Sequence, residues 1–167
     1  QPFEILKDPR SPSSPADFQK QFEFLIEVRD KLSEAHQAIT DIRSAREQIQ
    51  GYLKRLPEDS TYNALREKGK AIVKALTQVE EALYQTKNES RQDPLNFPIR
   101  LTNKLGHLNS LVGMGDFPPT EQDIAVKNEL TAQIDAELAR FHQVLESDIP
   151  EFNRLAREAA IDAVIVK

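Results

Sequence analysis

The chain has 167 residues, enough for one domain with a real core, and its 39% hydrophobic and 29% charged residues fit a thin bundle that exposes much surface. A net charge of −5, with no Lys/Arg run longer than two, argues against a nucleic-acid partner, which needs a clustered basic surface. No apolar stretch reaches the ~18–20 residues of a membrane span, and the absence of cysteine excludes disulfides and thiolate chemistry.

Gln1–Pro15 reads as a leader. Phe3, Ile5 and Leu6 alternate imperfectly, as a short strand would. The proline-rich run Asp8–Pro15 then forbids regular structure, because each proline removes a donor and restrains the residue before it. Residues 1–13 are therefore assigned to a linker and 14–167 to a helical domain. Gln1 is not an initiator Met, which suggests a processed or excised piece.

Ser14 suits an N-cap, Pro15 the first helical position and Asp17 the first turn. The helix that follows is predicted to run to about Leu56. Its apolar seam is Leu25, Val28, Leu32, Ala35, Ile39, Ile42, Arg46, Ile49, Leu53 and Leu56, spaced alternately by three and four. Phe18 extends the seam, and Phe22 and Ile26 widen it. A period of 3.5 sustained over about 42 residues, roughly 63 Å, implies packing against partner helices with gentle left-handed supercoiling.

Pro57 ends this helix, and a tight turn leads into a second one, predicted over residues 60–87. Its seam is Tyr62, Leu65, Gly69, Ile72, Leu76, Val79 and Leu83. A short connection between two such helices makes an antiparallel hairpin. Asn88–Phe97 is a polar connection. Pro98 opens a shorter helix with the stripe Leu101, Leu105, Leu108 and Val112, and Gly113–Pro119 breaks it. Thr120 caps the next helix, with Asp123 at the capping-box position. Ile124, Leu130, Ile134, Leu138, Phe141 and Leu145 mark its inner face, and it is expected to stop before Pro150. A last short helix over Pro150–Ala160 would bury Phe152, Leu155 and Ala159. The apolar tail Ile161–Val166 fits either a frayed helix end or a strand, and its pairing with Phe3–Leu6 is open.

The search for chemistry yields no site. Di-metal bundles need Glu-x-x-His pairs; Ser33, Lys104 and Ala139 stand three residues before His36, His107 and His142. His142 and Glu146, four apart near a helix end, read as a surface pair rather than an acid–base couple. Gly113-Met114-Gly115 lacks the third glycine of a dinucleotide loop and reads as a helix cap and turn. No nucleophile elbow or P-loop occurs. The many carboxylates are most simply solvated faces, since a thin bundle rarely offers a catalytic cleft. Asn88-Glu89-Ser90 is a formal glycosylation sequon. No catalytic, cofactor-binding or metal-binding residue is assigned.

Arg46 is the one charged residue on the long seam. It reads as a buried ionic device fixing register or as a snorkelling side chain. Reflection through Pro57–Asp59 places it opposite residues 70–71, with Gly69 making room for its stem and Glu67 reaching its head.

Three groups of residues carry a family resemblance: Gln1–Arg10 with its Asp8-Pro9-Arg10, the run Ser14–Phe22, and the later segments 101–105, 116–120 and 152–155. In order and spacing the chain resembles the C-terminal helical region of large secreted bacterial proteins with sortilin-like, BNR-type β-propellers, often labelled glycosyl hydrolases. The resemblance implies that the leader ends a preceding immunoglobulin-like domain. It also implies that any hydrolase activity belongs to the propellers, and that the protein is periplasmic or secreted.

The expected fold is all-α, an antiparallel helical bundle of three long helices plus one or two short ones behind a short extended leader. The expected function is non-catalytic docking within a larger exported protein, or self-association. Its partners would be the parent's other domains or a second copy, with no cofactor, nucleic acid or membrane span. The alternatives are an adaptor binding an external protein or peptide, and an accessory domain of a glycan-active hydrolase.

Overall fold

The structure is a computed structural model that describes residues 2–160. It is an all-α bundle, and its five helices stack into three columns.

The first column is α1, Pro15–Arg55. Its start follows from the sequence: the Asp17 N–H donates to the Ser14 hydroxyl at 3.3 Å, and the Ser14 N–H donates to the Asp17 carboxylate at 2.9 Å. This capping box satisfies donors that the first helical turn leaves free. The helix stops where Leu56 is forced extended ahead of Pro57. At 1.5 Å per residue, 41 residues span about 62 Å.

The second column runs back along α1 and is made of two helices. The turn after Pro57 holds a short 3₁₀ segment, Ser60–Tyr62, whose Thr61 N–H is capped by the Asp59 carboxylate at 2.7 Å. Then α2, Asn63–Leu83, pairs with the far half of α1. It ends four residues earlier than predicted, with Tyr84 extended. After the 84–100 connection, α3, Leu101–Val112, continues along the near half of α1. Two side chains clip the break. The buried Thr102 hydroxyl donates to the Leu83 carbonyl at 2.8 Å, and the buried Gln85 amide donates to the Pro98 carbonyl at 2.7 Å. Each satisfies a helix-end or loop carbonyl that burial would otherwise leave unpaired.

The third column runs parallel to α1. Thr120 and Asp123 form a second capping box at the start of α4, Glu121–Gln143. The sequence predicts a stop before Pro150. Instead the chain passes through a π-turn, Val144–Asp148, into α5, Ile149–Glu158. Proline has no N–H to give and crowds the carbonyl four residues back. Widening the preceding turn, with the Ile149 N–H bonded to the Val144 carbonyl, lets the helix go on. The extra residue also rotates the inner face: Val144 is buried, whereas the predicted Leu145 is 38% exposed. Ala160, at a left-handed φ of 45°, closes α5.

The bundle is thus up–down–up, with each helix antiparallel to the next column along the chain. Its core is one continuous cluster along the predicted seams, from Val28, Ile42 and Ile49 through Ile72, Leu76 and Leu83 to Leu105, Ile134 and Phe141. Leu25, Leu32 and Leu53 lie at its margin. At the start of α1 the buried ring is Phe24, and Phe22 faces water at 59% exposure. Residues 2–14 form neither helix nor strand. The expectations for the tail Ile161–Val166 fall outside the described residues. No described helix is long and apolar enough to cross a membrane.

Candidate functional site

The residues singled out for chemistry stay apart. His36, His107 and His142 are all exposed, His107 on α3. Among the described residues no three His, Asp or Glu side chains gather to hold a metal ion. His142 lies against the Phe141 ring at 5.9 Å, and no bond joins it to Glu146, which the π-turn carries away. Gly113 ends α3 with its N–H on the Asn109 carbonyl at 3.0 Å, as a cap. Asn88 of the sequon is half-buried, and its side-chain oxygen has no partner.

Arg46 is part of a buried ion cluster, but with other partners than expected. Its guanidinium meets Glu80 at 2.6 Å, and Arg43 reaches the other oxygen of the same carboxylate at 2.6 Å. Thr77 adds a 3.3 Å contact to Arg46, and Arg43 also lies over the Tyr84 ring at 5.5 Å. The Glu80 side chain is only 3% exposed, against 23% for Arg46 and 52% for Arg43. The buried anion is therefore held by two cations whose stems reach outward, which is how such a charge is tolerated inside. Glu67 instead pairs with Lys70 on the surface. The reflection erred because the 3₁₀ segment adds nearly a helical turn to the connection. Gly69 consequently faces Leu53 and Phe152: a methyl group there would meet Leu53 Cδ2 at 2.9 Å and Phe152 Cε2 at 3.0 Å. The shared carboxylate ties α1 to α2 and so fixes their register.

A recess of about 730 Å³ opens between the end of α1 and α5. Ala45, Gln48, Ile149 and Asn153 border it. Tyr52 stands in its wall, edge-on to Phe152 at 5.7 Å, with its hydroxyl on the Ala156 carbonyl at 3.2 Å. Arg55 is its one charged residue, stacked over Tyr52 at 5.6 Å. Tyr52 is the one lining side chain able to give or take a proton, and its hydroxyl already donates to the Ala156 carbonyl. Beside it Lys68 bridges Asp148 at 2.8 Å and Glu151, tying α2 to the π-turn and α5. Those two bonds hold the lysine's pKa above its ordinary value.

The opposite end of the bundle differs. There the α3–α4 loop is strapped to the start of α1. The Ser13 hydroxyl donates to the Asp116 carbonyl, and the Gln21 amide donates to the Val112 and Gly115 carbonyls at 2.7 and 2.5 Å. Ser13 is buried by this contact, so the leader leaves the bundle at a fixed point. Around that point large apolar side chains face water: Phe22, Met114 at 79% and Phe117 at 61%, with Phe3, Ile5 and Leu6 in the leader. Of twelve exposed large apolar residues, six lie in the leader, at the start of α1 or in the 113–119 loop. Scattered exposed leucines are ordinary; Phe22, Met114 and Phe117 instead lie together at one end of the bundle. The seam rule missed this end, because it reads Phe22 as core; the surplus of Phe and Met between glycines and prolines at 113–119 was the available signal. No family model, curated protein or solved structure matches the chain.

Proposed function

We propose that the chain is a non-catalytic helical module that docks, by the end where its leader enters, against the preceding domain of a larger exported protein. The observation that carries this reading is the apolar surface around the leader's exit, formed by Phe22, Met114 and Phe117. The strap from Ser13 to Asp116 supports it. It fixes where the upstream chain leaves, and so holds whatever precedes it against that surface. The family resemblance supplies the occupant, an immunoglobulin-like domain ending in the Phe3–Leu6 segment, and places the parent in the periplasm or outside the cell. Burial of apolar area at ~25 cal/mol per Å² is the driving force. Any hydrolytic activity would reside in the parent's propellers.

Hydrogen exchange tests the reading. In the full-length protein that carries this chain, amides of residues 17–22 and 113–118 are expected to exchange at least roughly tenfold more slowly than in the isolated chain. Equal rates in the two would sink the docking reading.

A further inference from the structure

A second apolar surface lies on the flank, in the outer groove between α3 and α4. This recess of about 320 Å³ has a floor of Leu108 and Leu130, each 7% exposed. Leu111 and Val126 form its rims, 50% and 44% exposed, and Ile99 lies beside it at 42%. The two rims also differ in charge. Lys104 lines the α3 side and Glu129 the α4 side. Lys104 enters no ion pair among the described residues, and Glu129 accepts only the Gln133 amide, at 3.1 Å.

We propose that a second copy of this chain covers the groove, in a parallel pair whose two-fold axis runs along the bundle. Two orientations bring the same flank together. An axis across the bundle would set α3 on α3 and α4 on α4, and so face like-charged rims toward each other. An axis along the bundle sets α3 on the second copy's α4. Lys104 then faces the second copy's Glu129, and symmetry makes the contact twice. The apolar floor supplies attraction in either case; the charges select the parallel form. The face is small. Twelve residues of α3 give about 18 Å of length, which puts the contact at the low end of specific interfaces and makes the pair reversible. In the parallel form both leaders emerge at the same end, so pairing on the flank is compatible with docking at the tip.

Sedimentation of this chain from roughly 1 to 500 μM tests the proposal. The mass is expected to climb from 19.0 kDa toward twice that value. Val126→Glu should abolish the rise without changing the melting temperature, and Leu111→Ser, should the first variant lose helicity, reads the same contact. Lys104→Glu or Glu129→Lys alone should weaken association about fivefold. Both changes in one chain should restore it, because the swapped charges meet again across the axis. A mass that stays monomeric throughout, or a double variant no tighter than the singles, overturns the parallel pair. Neither result touches the docking reading, whose readout is exchange at the tip.

Discussion

The two ends of this bundle are built from the same helices to opposite effect. At the turn end, α1, α2 and α5 close around Leu56, Leu65 and Phe152, and the one buried carboxylate further along, Glu80, is matched by two guanidinia. At the leader end, α1 meets α3 and the start of α4, and Phe22, Met114 and Phe117 remain in water. One end buries most of its large apolar side chains; the other keeps several that the fold does not use. On the proposed reading, stability is concentrated at the first and docking at the second, and substitutions should separate the two.

The largest effect is expected at the seam shared by both ends. Ile39→Asp strands a charge at a position 4% exposed and should cost about 4 kcal/mol or more in urea unfolding. Glu80→Ala leaves two arginines without their anion. A loss of about 3 kcal/mol is expected, with Glu80→Leu recovering part of it if the pair serves register more than strength. Gly69→Leu drives a side chain into Leu53 and Phe152 and should cost about 1–3 kcal/mol by overpacking; an unchanged melting temperature would remove Gly69 from the packed end. Ser14→Ala should cost about 1 kcal/mol by uncapping α1.

The same cap carries a pH signature. The backbone N–H and hydroxyl of Ser14 hold the Asp17 carboxyl below its ordinary 3.8. The folded chain then loses that proton at lower pH than the unfolded chain does. The resulting stabilisation is complete above the unfolded value and vanishes as the pH falls through the folded one. Asp17→Asn should flatten this part of the acid limb of a stability–pH curve. The smallest effect is expected at the leader end: Phe22→Ser and Met114→Ser should each change the stability of the isolated chain by less than about 0.5 kcal/mol. A large loss there would show that these side chains serve the fold after all.

Periodicity made the columns legible. The three-four spacing names Val28, Ile42, Leu76 and Ile134 as core, and each is buried. Capping chemistry placed both Ser14 and Thr120 at helix starts. What the sequence hid lies where one residue's count matters. A single 3₁₀ segment at Ser60–Tyr62 moved Arg46 from the neighbourhood of Gly69 to Glu80, and a single π-turn exchanged Leu145 for Val144. Both are decisions of the backbone that side-chain patterns do not encode. The exposed apolar end was hidden for a different reason: an apolar residue on a helix reads as buried, and only the packed fold shows that no described helix covers Phe22.

An up–down–up course sends the chain in at one pole and leaves Glu158 at the other, about 6 nm from Pro15. Tension between those poles would run lengthwise through α1 and through α4–α5, and the three columns would resist by sliding past one another with all their interdigitated side chains loaded at once. Such a body would resist extension as a strut does, at a length set by the helical rise.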